Sequence, residues 1–230
     1  MNKIALIFGG SGGIGQFICS ELEKKGIIVY STSYQSKQAS QNEHILTCDV
    51  SKNKDIKRVV SYILRMQTKI DIVINSVTPP LKLKTIENLS VEEFRQDIDA
   101  ILLGGINIAQ AIIPIMKIQK QGMIINILSL LVKGDVSTRL SSYISAKYGL
   151  LGFTKCLAKE LKPFNIAVFG ISPSFVETNL IKAFPDKLIE IEKNKRRNRK
   201  LIQPIEVAQV ILDLIQNPQK YKSGENLEVN

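Results

Sequence analysis

Seven runs of consecutive apolar residues mark out this chain: "IALIF", "IIVYS", "HILTCDV", "IDIVINS", "GMIINILSLL", "NIAVFGISP" and, at the end, "NLEV". Between them apolar residues recur at helical spacing, as in "IGQFICSELEKKG", which stops at Gly26, and in "SYISAKYGLLGFTKCLAKELKPFN", a long helix ending near Pro163. Strands without polar alternation are covered on both faces, and strands that alternate with helices pair in parallel. The expected fold is therefore α/β: a doubly wound Rossmann domain with a central, mainly parallel seven-stranded sheet. No internal repeat or linker breaks residues 1–230, which predicts one domain. The least regular region, 174–203, should overhang the carboxyl edge of the sheet as a loop and a basic helix, where ligands bind in such folds.

The first strand hands over to the first helix through "GGSGGIG", Gly9 to Gly15. Gly10, Gly12 and Gly15 satisfy G-x-G-x-x-G, while Gly9, Gly13 and Gly15 satisfy G-x-x-x-G-x-G. Either spacing lets a strand turn sharply, lets the backbone approach a pyrophosphate, and leaves helix N–H groups free to bind it. This points to a dinucleotide. The acidic residue that would take a ribose 2′-hydroxyl about 20 residues further on is absent from "VYSTSYQSKQ". Ser31, Thr32, Ser33 and Lys37 can instead hydrogen-bond or balance a 2′-phosphate, so NADP(H) is preferred, with NAD(H) as the alternative. Asp49 in "CDV" suits an adenine amino group; its competing role is a cap for the helix "SKNKDIKRVV".

Charge adds a local feature. The 230 residues carry 31 basic and 21 acidic side chains, a net +10, but "KNKRRNRK" (193–200) alone holds six positive charges, which leaves +4 for the rest. That run is read as a solvated face or as contact with an acidic partner. It has no interleaved aromatic, so nucleic acid is not expected. Three cysteines without metal spacing suit reduced thiols and the cytoplasm, and the N-terminus does not read as a signal peptide. One histidine, His44, cannot build a metal site with them and reads as a surface loop residue. The stretch "AILLGGINIAQAIIPIM" (100–116) contains Asn107, Gln110 and Pro114 and falls short of a bilayer span, so no membrane is expected. It is apolar on more than one face, which predicts packing against another subunit.

Tyr143 and Lys147 in "SSYISAKYG" are four apart and share a helix face, and Ser129 ends a strand fourteen residues earlier. Together with "GGSGGIG", "CDV", "IN" before Ser76, "INILS", "ISPSFVET" and "PIEVAQVILDLI" followed by "SGENLEV", these stretches resemble the short-chain dehydrogenase/reductase family over essentially the full length. Within it, the nearest likeness is to 3-oxoacyl-acyl-carrier-protein reductases.

The resemblance implies a Tyr143 general acid that protonates a carbonyl oxygen as hydride arrives from NAD(P)H. Lys147 would lower the Tyr143 pKa and hold the nicotinamide ribose, and Ser129 would orient the carbonyl. The cofactor would lie along Gly9, Ser11, Gly12, Gly13, Ile14 and Gly15, past Val50, Asn75 and Ser76, and meet Pro173, Val176 and Thr178 as well as Tyr143 and Lys147. Implied partners are a small carbonyl substrate, carried on an acidic acyl-carrier protein, and further copies of the chain in a homotetramer or homodimer.

The sequence also departs from the family pattern. Phe8 stands where threonine is usual, "NSVT" (75–78) replaces N-N-A-G, and Ser174 replaces a glycine. The Ser129-to-Tyr143 spacing is one residue long, with Ser141 and Ser142 as substitutes for Ser129. Ile101 occupies the position of the asparagine that holds a proton-relay water. These departures leave a second reading: a dinucleotide-binding regulator or scaffold without turnover.

Overall fold

The computed structural model describes residues 2–34, 44–133 and 138–230. Seven strands form one sheet: β1 (Ile4–Phe8), β2 (Ile28–Ser33), β3 (Ile45–Thr47), β4 (Ile72–Asn75), β5 (Gly122–Ile127), β6 (Ile166–Pro173) and β7 (Asn226–Val229). Their order is β3-β2-β1-β4-β5-β6-β7, and every pairing is parallel. The expected doubly wound α/β sheet is present, with its order reversing between β1 and β4.

Alternate residues of β1 show how two faces are covered. Ile4, Leu6 and Phe8 join a cluster with Ile56, Val59 and Ile63 of α2 (Asn53–Gln67), Ile108 and Ile112 of α4 (Gly104–Gln119), and Leu157 of α5 (Ser141–Leu161). Ala5 and Ile7 join the opposite cluster with Ile18 and Leu22 of α1 (Gly15–Glu23) and Val207 and Ile211 of α7 (Pro204–Gln216). The two-residue period of a strand thus makes each apolar run serve two cores.

The helix before α4 is irregular. α3 (Val91–Asp97) begins in a capping box between Ser90 and Glu93 and passes into a π-helical turn, Ile98–Leu103, before α4. Ile101, fully buried in that turn, packs in a third cluster with Leu128, Val132, Leu140 and Tyr143. The continuous run Val91–Gln119 is 29 residues, and by length and composition alone it is long and apolar enough to cross a bilayer. The 100–116 stretch thus belongs to a longer helix than its own length implies. In the fold it flanks the sheet, with Ile108, Ile112 and Met116 buried.

Three local expectations are corrected. β3 is only Ile45–Thr47, because Cys48 to Val50 already turn toward α2. The segment after β6 does contain a helix, α6 (Asp186–Asn194), but it ends where the basic run begins; residues 195–200 form turns, with Arg199 at φ +53°. The helix itself, "DKLIEIEKN", mixes both signs of charge. His44 is likewise no plain surface residue: its ring lies 4.6 Å from that of Tyr30.

Candidate active site

A cavity of about 750 Å³ opens at the carboxyl ends of β1, β4, β5 and β6. Gly12, Gly13 and Ile14 line one end, Ser76 and Thr78 follow from β4, and Ser129 and Tyr143 meet at the centre. Pro173, Val176 and Thr178 close it from β6, and Leu81, Leu131, Phe175 and Phe184 form an apolar wall.

The glycine loop explains its own composition. Gly9 sits at φ +77°, and a Cβ there would stand 2.9 Å from the Ser76 carbonyl; at Gly15 it would stand 2.2 Å from the Gly9 carbonyl. Neither position admits a side chain without moving backbone. No side chain caps α1; the Gln16, Phe17 and Ile18 amides already donate to the Gly12 and Ile14 carbonyls, which leaves the Gly13, Ile14 and Gly15 amides at the favourable end of the helix dipole. An uncapped helix end over a glycine cradle fits the pyrophosphate of a dinucleotide. Thr178 lies over the loop, its Cβ 2.7 Å from where a Gly13 Cβ would be. That close approach places the segment after β6 directly above the cradle.

The remaining expected cofactor residues fall into distinct environments. Ser11 stands in the loop itself, half-buried. Ser31 and Ser33 are buried at the end of β2, with the Ser31 Cβ directly beneath Gly10, and Thr32 accepts a hydrogen bond from the Gly9 amide at 3.2 Å. Lys37 lies outside the described residues. Asp49 engages its own loop, accepting from the Ser51 hydroxyl at 2.7 Å and pairing with Lys52 at 3.1 Å. It does not cap α2, whose N-cap is Lys52. Val50 is buried against Gly104, and its carbonyl accepts from Asn107 at 3.1 Å. Asn75 differs from the expected ribose contact: its side chain is buried, accepts from the Val77 amide at 3.2 Å and donates to Asn126 at 3.4 Å. Its visible work is to shape the turn after β4.

The proposed chemical groups do converge. Ser129 follows β5 and caps the 3₁₀ turn Leu130–Val132, and Tyr143 lies on the first turn of α5, each 8% exposed. Lys147, one turn on and 1% exposed, donates to the Ile127 carbonyl at 2.7 Å and to the Thr78 hydroxyl at 3.2 Å. Ser142 donates to Asp97, so it is no substitute for Ser129. Ser141 is no substitute either, since it lines a separate cavity with Thr85, Arg139 and Ile144.

Burial dominates the electrostatics of both Tyr143 and Lys147. Burial pushes the Tyr143 phenol up to about 12; the Ser129 hydroxyl pulls it down and Asp97 pushes it up. Burial pushes Lys147 down to about 7. Burial, rather than the Lys147 charge, is thus the largest influence on the phenol. The Lys147 ammonium is 5.8 Å from the ring centroid and turned toward the Ile127 carbonyl, and loss of hydration dominates both groups.

This geometry defines a dinucleotide-dependent oxidoreductase site, and the comparisons agree. The short chain dehydrogenase family model matches residues 3–188, and the chain belongs to that family, whose members bind NAD(P)(H). It is an oxidoreductase acting on carbonyl or CH–OH groups. An acetoacetyl-CoA reductase of Allochromatium vinosum is 32% identical over 243 residues, covering 100% of this chain and 98% of that protein. A 3-oxoacyl-acyl-carrier-protein reductase of Chlamydia trachomatis is 30% identical over 244 residues, covering 100% and 96%. The crystal structure of a Brucella melitensis 3-ketoacyl-acyl-carrier-protein reductase complexed with NADH superposes with a TM-score of 0.91 at 25% identity, covering 99% of this chain and 96% of that one.

Proposed function

We propose that this protein is an NADP-dependent reductase of ketones, acting on 3-oxoacyl thioesters. The observation that carries the reading is that Ser129 and Tyr143 line the same cavity as Gly12 and Gly13, with Lys147 directly behind. A bound nicotinamide dinucleotide supplies hydride to the carbonyl carbon.

This chain's residues do the rest. Ser129 hydrogen-bonds the carbonyl oxygen and stabilises its developing charge. Tyr143 transfers its proton to that oxygen and yields the alcohol; with its pKa near 12 the phenol is fully protonated at neutral pH. Lys147, in its protonated form, would stabilise the phenolate left on Tyr143 and hold the ribose. The Gly13, Ile14 and Gly15 amides would hold the pyrophosphate, the Ser31 and Ser33 hydroxyls would hydrogen-bond a 2′-phosphate, and Thr178 would cover the loop.

The apolar wall from Leu81 to Phe184 suits an acyl chain. The basic run 193–200 stands beside the cavity, where Lys195 lines the mouth, and suits an acidic carrier protein. Apolar side chains exposed on the long helix, Leu103 and Ile118 among them, support a homotetramer or homodimer.

The test is a thermal-shift comparison of NADPH with NADH, followed by NADPH oxidation on acetoacetyl-CoA and on simple ketones. A larger shift with NADPH and turnover of the thioester support the reading. A shift without turnover on any carbonyl favours the regulator or scaffold, the reading suggested by Ile101 filling its site completely.

A further inference from the structure

One buried charged group has no part in that chemistry. Asp97, 2% exposed, ends α3 where the helix becomes π-helical. Lys82 donates to its Oδ1 at 3.1 Å and also to the Glu93 carbonyl at 3.1 Å. Ser142, the residue before Tyr143, donates to its Oδ2. The Lys82 side chain is itself 19% exposed, so the ion pair lies largely out of water. Such pairs add little stability over apolar residues of similar size, which directs attention to what the pair arranges.

It joins three pieces of the site. Lys82 belongs to the segment after β4 whose Thr78, Pro80 and Leu81 line the cavity. Asp97 adjoins the π-helical turn whose Ile101 packs in the cluster with Tyr143. Ser142 opens α5. We propose that Asp97 is a positioning residue for Tyr143: through Ser142 it fixes the first turn of α5, and its charge, balanced by Lys82, acts on the phenol.

Facing that phenol are Lys147 from α5, the Ser129 hydroxyl and Asp97 from α3. Asp97 is the only one of these that raises the phenol through its charge. Removing it should therefore ease loss of the proton, and removing Lys82, which leaves Asp97 uncompensated, should oppose it. A purely structural tie would move both variants in the same direction.

The inference rests on Tyr143 as the proton donor, yet its test needs no turnover. Protein labelled with [4-13C]tyrosine is titrated by NMR, with the Tyr143 signal identified by its loss in Tyr143→Phe. Asp97→Asn, which keeps a hydrogen-bonding side chain of equal size, should titrate about one pH unit below wild type, and Lys82→Met above it. Equal midpoints, shifts in one direction, or an Asp97→Asn phenol that resists titration wherever wild type does would overturn the proposal. Asp97→Asn decides alone if Lys82→Met fails to fold. If wild type reduces no carbonyl, the proposed function falls while this titration still gives its answer.

Discussion

The Lys147 ammonium donates to the Ile127 carbonyl at 2.7 Å, at the end of the strand that leads to Ser129. Burial lowers its folded pKa to about 7 against an ordinary 10.5. Between those values the unfolded chain binds the extra proton, so this group's contribution to stability rises with pH from 7 to 10.5, and below 7 its full penalty applies. Lys147→Met should therefore raise the melting temperature, more at pH 6 than at pH 10, while abolishing reduction. Calorimetry at the two pH values checks this; equal shifts at both would contradict it.

Tyr143 titrates with the opposite sign. Its folded pKa of about 12 exceeds the ordinary 10, so the folded state holds the proton more tightly, and the stability it contributes is lost as pH rises from 10 to 12. Tyr143→Phe should remove that alkaline loss without altering stability at pH 7 by more than about 1 kcal/mol. Urea unfolding across this range reads the difference.

Gly9 combines a positive φ with a carbonyl 2.9 Å from any added Cβ. Gly9→Ala should cost about 1–3 kcal/mol in urea unfolding and weaken NADPH binding at least tenfold in a fluorescence titration. Unchanged affinity would separate the loop from the cofactor.

The basic run is not uniform. Arg196 pairs with Glu206 of α7 at 2.7 Å, and Glu206 in turn accepts from the Gln203 amide in a capping box, so Arg196 ties the end of the basic run to α7. Arg196→Glu should destabilise by about 1 kcal/mol, whereas Arg197→Glu, with no ion pair among the described residues, should stay within about 0.5 kcal/mol. Arg197→Glu should nevertheless raise KM for a carrier-bound acyl substrate more than for the CoA thioester. Equal KM changes would remove the carrier protein as partner.

Phe175 and Phe184 pack with ring centroids 5.0 Å apart in the apolar wall. Phe184→Ala should lower kcat/KM about tenfold for a long 3-oxoacyl chain and little for acetoacetyl-CoA, a loss of about 1.4 kcal/mol of binding at the chain's far end. Chain-length profiles of the two proteins decide it.

The fold was readable because β1, β4, β5 and β6 carry apolar residues on both faces, as a sandwiched parallel sheet requires, and because Gly9 and Gly15 answer steric demands local to one turn. Helical spacing and a strand end singled out Ser129, Tyr143 and Lys147, and their roles followed from the family resemblance. The direction of the pKa shifts was not, since it depends on how completely α5 is buried. Asp97 was missed because its partners, Lys82 and Ser142, lie 15 and 45 residues away. No periodicity connects them. Asn75 and Asp49 looked like ligand contacts, and only three-dimensional packing reveals that their polar atoms are already engaged within the protein. The basic run looked helical because charge does not mark a helix end, whereas the turn at Arg199 does.

The most direct measurement follows deuterium from [4,4-2H2]NADPH into product during reduction of acetoacetyl-CoA, with wild type and Tyr143→Phe compared by mass spectrometry. Wild type should yield 3-hydroxybutyryl-CoA one mass unit heavier, and the variant should yield product at least a thousandfold more slowly. Labelled product forming at the wild-type rate without the Tyr143 hydroxyl would contradict the assignment of this phenol as the acid.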